Sequence, residues 1–353
     1  MKRTRYDAVV VGGGVAAVFH ACALAEQGHS VALACSGTSL AHEIGLTRMP
    51  VKGIRELGSR FPLVHSWLEG LAHCGALMGD RMEPVWTQLL ADQFAAERGV
   101  DVLFEAFPAG LVLKGEGDGS RVVGVRLATR EGIRIIESAT VADCTETAVL
   151  ARELLDMRSV DPADRHALWT MTVLRPDLIT EEGDQGLHNM GTPRLEQERF
   201  SFDLDGAHVD CEIHPAFRNE ECSVLAIVSS PEGLAGSEIG FTAILEQVYA
   251  QIKRHSPTQI GPLLHVSEKC WTTPGYVCTG PPQGRMNRRT DVWLESADGS
   301  FSAIGCWTGE SRYAIAMHDV YEMGGASLRL LVEAAMEAAE KKAGSGSLQS
   351  KNG

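Results

Sequence analysis

The sequence predicts an α/β protein with two domains. One is built on a parallel, doubly wound sheet that carries a three-stranded antiparallel meander. The other is a smaller domain with a mixed antiparallel sheet. Three observations predict this. A strand, a glycine turn, a helix, a glycine stop and a second strand follow one another between Tyr6 and Gly37. Three apolar stretches separated by two turns lie between Leu111 and Ile136. The region from about 158 to 290 has strand-like runs but no glycine motif.

The first strand is Ala8 to Val11, an apolar β-branched run suited to a buried parallel strand. Gly12, Gly14 and Ala17 then fit the pattern G-x-G-x-x-G/A. Gly12 permits the tight turn, Gly14 lets backbone approach a diphosphate, and Ala17 lets helix pack closely on strand. Val15 to Gln27 has no internal Gly or Pro and reads as a helix. Its positive end makes Gly12, Gly13, Gly14, Val15, Ala16 and Ala17 the expected anion-binding residues. Gly28 ends the helix, and Ser30 to Ala34 is the second strand. A dinucleotide-binding unit carries an acid about 20 residues beyond its first glycine to hold the ribose. Here Cys35, Ser36 and Thr38 offer only neutral groups. The nearest acid, Glu43, lies too far along to do the same job unless the loop is rearranged.

Trp86 to Arg98 reads as a helix and Gly99 to Phe104 as a strand. Leu111–Leu113, Arg121–Ala128 and Gly132–Ile136 form the meander, with turns at Gly115–Gly119 and Thr129–Glu131. "ATVADCTETAVLARELL" reads as a further strand followed by a helix. This order resembles the FAD-dependent oxidoreductases of the glutathione-reductase-like fold, over residues 1–155 and more loosely over 291–340. The resemblance implies a Rossmann-type FAD-binding domain with its β-meander, interrupted by a substrate domain. The expected divisions are 1–157 and 291–342 for the FAD domain, 158–290 for the substrate domain, and 343–353 for a flexible Gly/Ser-rich tail.

The resemblance also implies a set of cofactor residues. Thr145 stands in Cys144-Thr145-Glu146-Thr147, where the family carries Ala-Thr-Gly-Asp. Glu146 thus replaces a glycine. Pro108 falls at the adenine contact, without an N–H to donate. Gly305, followed by Cys306, matches the family's final Gly-Asp or Gly-Arg. Gly325 belongs to the glycine-containing start of a returning helix, and "FSAIGCW" is the returning strand. Arg48 is expected on the phosphates or on a substrate carboxylate. His42 lies where some members bond covalently to the flavin ring.

In the middle region "HALWTMTVL", "CEIHPAF" and "CSVLAIVSS" read as strands and Ser237 to His255 as a helix. "EEGDQGLHNMGTPRLEQE" reads as a polar surface loop. Because flavin accepts the hydride itself, the protein must orient the substrate and take up a proton. His318, Tyr313 and His42 are the candidate proton acceptors, with His214 an outlying one. Arg285, Arg288 and Arg312 are candidate clamps for an anionic substrate, by bidentate hydrogen bonds.

The formal net charge of −14 argues against nucleic acid or an anionic membrane as partner. No run of apolar residues is long enough to span a bilayer, and Met1–Arg5 with its apolar sequel reads as strand and turn, not a leader. The nine cysteines show no Cys-x-x-Cys pair or zinc spacing, so reduced thiols in the cytoplasm are expected, and no metal. Two functional readings remain open. One is an FAD-dependent oxidoreductase that oxidises a small molecule at a C–N or C–O bond. The other is a degenerate subunit of the same fold that serves as a non-catalytic binding or scaffolding partner; a homo-oligomer or a partner subunit is open on either reading.

Overall fold

The computed structural model describes residues 5–49, 51, 53–115, 120–155, 157–160, 166–176, 198–204, 207–218, 220–229, 241–268, 271–272, 276–278, 286–305, 307 and 325–349. The chain divides into two compact units. The first comprises Met1–Gly45, Val51–Ser159 and Pro274–Gly353; the second comprises Leu46–Pro50 and Val160–Thr273. The return to the first unit therefore begins before residue 291. The short segment at 46–50 joins the second unit, a division that the residue patterns do not mark.

Strand β1 (Arg5–Val11) leads through the glycine turn into α1 (Val15–Glu26), then β2 (Val31–Ala34). A one-turn helix α2 (His42–Gly45) and a longer α3 (Pro62–His73) follow. A short hairpin of β3 (Leu77–Met78) and β4 (Arg81–Met82) comes before α4 (Pro84–Glu97). Helix α4 starts two residues before the expected Trp86. Pro84 opens it, and the Glu83 side chain accepts the Trp86 N–H at 2.7 Å, a cap that the apolar pattern does not show. Phe19 of α1, Trp67 of α3 and Phe94 of α4 meet with ring centroids 5.4, 5.2 and 6.2 Å apart, which fixes the three helices against one another.

Strand β5 (Asp101–Leu103) is shorter than expected. The meander is β6 (Phe107–Lys114), β7 (Arg121–Thr129) and β8 (Gly132–Asp143). Strand β8 is one continuous element where two were expected. Its first half pairs antiparallel with β7 and its second half parallel with β1. No Gly or Pro interrupts it between Ile133 and Asp143, so nothing breaks the ladder. The helix expected after β8 is replaced by turns and a single 3₁₀ turn at Ala151–Glu153. The buried Asp143 carboxylate is the reason: it takes the amides of Thr145, Leu150 and Ala151 at 2.8–2.9 Å, drawing the backbone around a side chain. Strand β9 (Met157–Ser159) closes this part.

The second unit holds β10 (His166–Leu174), β11 (Glu198–Leu204), β12 (Ala207–Pro215), β13 (Glu221–Ser229), α5 (Phe241–His255), β14 (Leu263–Val266) and β15 (Trp271–Thr272). The strands lie in the order β11-β12-β13-β10-β14, with β15 also on β10. Val209, Cys211, Ile213, Val224 and Ala226 form a core with Val248 and Ile252 of α5. Alternation along the strands puts Glu212, His214 and Ser223 on the opposite face, where they are also buried. The polar loop expected at 181–198 lies outside the described residues, except that Glu198 opens β11.

Back in the first unit, β16 (Tyr276–Cys278) pairs with β9. Then come β17 (Met286–Thr290), β18 (Trp293–Ser296), β19 (Phe301–Ile304) and α6 (Gly325–Gln349). The main sheet runs β17-β18-β19-β8-β1-β2-β5, with β6 and β7 carried on β8. Helices α1 and α6 pack through alanines, and His20 Nδ1 lies 2.8 Å from the Ala335 carbonyl oxygen. Helix α6 continues through Ala343–Gln349, where the composition predicts a flexible tail. Once a helix is nucleated on a docked stretch, each added residue costs little. Among the described residues no helix is long and apolar enough to cross a membrane.

Candidate functional site

The site lies at the end of β1. Gly12 has φ +142°, and a Cβ there would meet the Cys144 carbonyl oxygen at 2.6 Å, so β1 and the end of β8 touch backbone to backbone. A Cβ on Gly13 would meet the Cys35 thiol at 2.4 Å and the His42 imidazole at 2.7 Å. A Cβ on Gly14 would meet the Glu43 carboxylate at 2.9 Å. The first amides of a helix have no intrahelical acceptor. At α1 the Val15 N–H is donated to Glu43 Oε1 at 2.5 Å. A carboxylate from 28 residues along the chain thus holds the position that a diphosphate takes in a dinucleotide-binding turn.

The loop that delivers Glu43 is fixed at several points. Cys35 N–H bonds Leu103 O at 2.9 Å, Ala106 N–H bonds Cys35 O at 3.0 Å, and Glu105 N–H bonds Gly37 O at 3.1 Å, so the loop is zipped to the β5–β6 connection. Leu40 N–H bonds Asp92 of α4 at 3.2 Å. Ala41 has φ +49°, which turns the chain into α2, and Gly45 lies so close to Gln88 of α4 that a Cβ would overlap it. His42 Nε2 is 2.8 Å from Glu146 Oε1. Burial opposes a charge on His42, but Cys35, Glu146 and Glu43 outweigh it and raise its pKa to about 10. Burial also raises the Glu43 pKa, against the pull of the His42 charge and the Val15 amide.

Thr145, the residue before Glu146, is held by the buried Asp143. Asp143 accepts the Thr145 hydroxyl at 2.6 Å as well as the three amides, and burial pushes its carboxyl above the usual range in spite of them. Thr145 in turn accepts the Val149 N–H at 3.0 Å, and its carbonyl takes the Trp307 indole N–H at 2.9 Å. Gly305 is packed under Trp307, whose indole fills the space of a Cβ.

Of the residues singled out in the sequence, the structure brings together Gly12 to Val15, Cys35 and His42, with Thr145 just behind Glu146. His42 lies against Gly13 at the glycine turn, with Glu146 at its Nε2. Ala16 packs among Val292, Trp293 and Ala335, and Ala17 is fully buried. Cys35 is buried and its thiol points to Ser39 O at 3.5 Å, while Ser36 is exposed. Arg48 is in the second unit, 3.4 Å from Glu268. Pro108 pairs with Leu127 next to a bulge in β6. Gly325 opens α6. Arg288 stands exposed on β17, a strand and not the expected turn; its neighbour Arg289 pairs with the buried Glu295 at 3.0 Å. His318, Tyr313, Arg312, Arg285 and Cys306 lie outside the described residues.

Sequence reasoning set Glu43 aside as too far along and did not single out Asp143. Glu43 carries no spacing signal, because its role depends on the loop geometry. Asp143 sits in a sequence of small residues and shows only as an acid ending an apolar strand. In the second unit, His214 Nε2 lies 2.8 Å from Glu212 Oε2, both buried, and Arg199 reaches the other Glu212 oxygen at 2.5 Å.

The residues fit an FAD diphosphate in one respect and oppose it in another. The cradle of glycines and amide accepts an anionic oxygen, and Glu43 supplies one. Glu43 must therefore leave before a diphosphate can enter.

Residues 7–153 match a family model described as FAD dependent oxidoreductase, and FAD is the cofactor that this match assigns. A comparison with curated protein sequences finds no match. Among solved structures, a myxobacterial chondrochloren halogenase, a variant of the FAD-dependent halogenases, is 12% identical with a TM-score of 0.54, over 97% of this chain and 79% of that one. A geranylgeranyl bacteriochlorophyll reductase-like protein from Thermoplasma acidophilum is 13% identical with a TM-score of 0.56, over 99% and 80%. Aklavinone-11 hydroxylase, solved with FAD and aklavinone, is 14% identical with a TM-score of 0.53, over 94% and 63%. At these identities the likeness is one of fold.

Proposed function

We propose that the chain is an FAD-dependent oxidoreductase that oxidises a small organic molecule at a C–N or C–O bond by hydride transfer. The observation that carries this reading is the glycine turn at the start of α1, where Gly12 to Gly14 have no room for side chains, inside the segment that matches the family. FAD bound there supplies the two-electron acceptor. Gly12 to Gly14 let the backbone approach the diphosphate, and α1 points its positive end at it.

The test is anaerobic mixing of the FAD-loaded protein with a panel of amines, amino acids, alcohols and 2-hydroxy acids. Bleaching of the flavin's visible absorbance by an amine or alcohol is the expected result. Binding of FAD without bleaching by either class contradicts the proposed bond specificity.

A second reading is favoured by the side chains at the cradle. Glu146 stands in place of a glycine, Cys35 in place of an acid, and Glu43 sits on Val15. On this reading the chain is a binding or scaffolding subunit of the fold. A colourless preparation that ignores added FAD is its signature.

A further inference from the structure

We propose that Glu43 is an internal stand-in for the cofactor's diphosphate, and that FAD binds by expelling it and inheriting both Val15 and His42. This rests on the FAD reading above. The exclusion is steric and electrostatic. Val15 N–H already donates to Glu43, whose carboxylate would lie 2.9 Å from a Cβ added at Gly14. A phosphate oxygen needs the same amide, and it brings a negative charge beside another one. One of the two must leave.

His42 explains why the exchange is balanced. It lies on Gly13 between Glu146 and the turn, with carboxylates Glu43 and Glu146 acting on it and both favouring its charged form. When Glu43 departs, the diphosphate takes over as the anion facing that imidazolium, and Glu146 keeps its 2.8 Å contact from the other side. The same two positive groups, a helix terminus and a histidine, serve either anion.

The arm that carries Glu43 is held by contacts more than by its own backbone preference. Ala41 is a non-glycine residue at φ +49°, in the left-handed region that L-residues rarely adopt. Helix α2 is a single turn, closed by Ile44 and Gly45 amides on the Ala41 carbonyl. The backbone bonds at Cys35 and Gly37 are anchored separately on Leu103 to Ala106, so they do not depend on the Val15 bond.

The consequence is a tax on affinity, because only the fraction of molecules with Glu43 displaced accepts FAD. The experiment is a titration of FAD by flavin fluorescence, with ADP as a second probe, on the wild-type full chain, Glu43→Ala and Glu43→Gln. Far-UV circular dichroism checks that each variant is folded, and Glu43→Gln keeps the shape of the arm if the alanine variant does not fold. The expected result is that both variants bind FAD and ADP about tenfold more tightly than wild type. The melting temperature of the FAD-free protein falls on substitution, and that of the FAD-saturated protein does not. Equal affinity for wild type and variants overturns the inference and leaves the FAD reading standing. No binding by any of the three overturns both.

Discussion

The two ends of the β1–α1–β2 unit treat a nucleotide differently. At the turn, each glycine faces an atom of the chain itself: Gly12 the Cys144 carbonyl, Gly13 the Cys35 thiol and His42 ring, Gly14 the Glu43 carboxylate. At the ribose end no acid is present, Cys35 is buried, and Ser36 and Thr38 are exposed hydroxyls. At Gly13 and Gly14 the turn meets side chains that can exchange, whereas the ribose end is stitched to the β5–β6 connection by backbone bonds. The difference teaches that a glycine motif can be required by packing and by a ligand at once. Gly12 would be needed here even with no cofactor, because its partner is backbone. Gly14 is needed by whichever anion sits on Val15.

The comparison is broken most severely at Gly12. Gly12→Ala puts a Cβ into the Cys144 carbonyl at a φ that alanine avoids, and should cost roughly 4 kcal/mol or more in urea unfolding. A loss below about 1 kcal/mol would mean that the backbone contact is not what keeps this glycine.

The next largest effect is an acid transition on the far side of α1. Burial lowers the His20 pKa from its ordinary value of 6.5 to about 4, with the Ala335 carbonyl partly opposing. A depressed folded-state pKa means that the neutral ring's contribution is fully present above pH 6.5 and is lost as the pH falls through about 4. The difference amounts to about 3 kcal/mol. Subtracting the unfolding profile of His20→Gln from that of wild type should reveal it between those two pH values, and a flat difference contradicts it.

Behind the turn, Asp143→Asn sets an amide group against the Leu150 and Ala151 N–H donors. It should cost about 2 kcal/mol and release Glu146 from its place beside His42. Unchanged stability would show that the loop does not depend on that carboxylate.

The smallest effect sharpens the comparison at the clasp. His42 is raised to about 10, so its contribution is present below pH 6.5 and is lost as the pH rises through about 10. Its partner Glu146 is half exposed, so solvent screening keeps the pair's share below about 1 kcal/mol. Glu146→Gln should flatten this alkaline limb in a thermal melt series, and an identical limb in the variant assigns the shift to Cys35 and Glu43 instead.

Much of the fold was legible because it rests on short-range patterns. Gly12, Gly14 and Ala17 between two apolar strands mark the first unit, and the turns at 115–119 and 129–131 mark the meander. What escaped depends on contacts between distant residues. The long β8 looks like two strands because its partners change halfway, from β7 to β1. The missing helix after it follows from one buried carboxylate, Asp143, which no periodicity reports. At the site, Gly13 and His42 were visible as a motif and a nearby polar residue. The place of Glu43 was not, since it is set by Ala41 at a positive φ and by Gly45 against Gln88.

The central claim is that the α1 turn is a diphosphate seat that Glu43 holds in trust. A crystal structure of the full chain grown with saturating FAD tests it most directly. The account predicts diphosphate oxygens on the Val15 N–H, the Glu43 carboxylate swung away and His42 still beside Glu146. Flavin bound elsewhere, or Glu43 still on Val15 in crystals saturated with FAD, would contradict it.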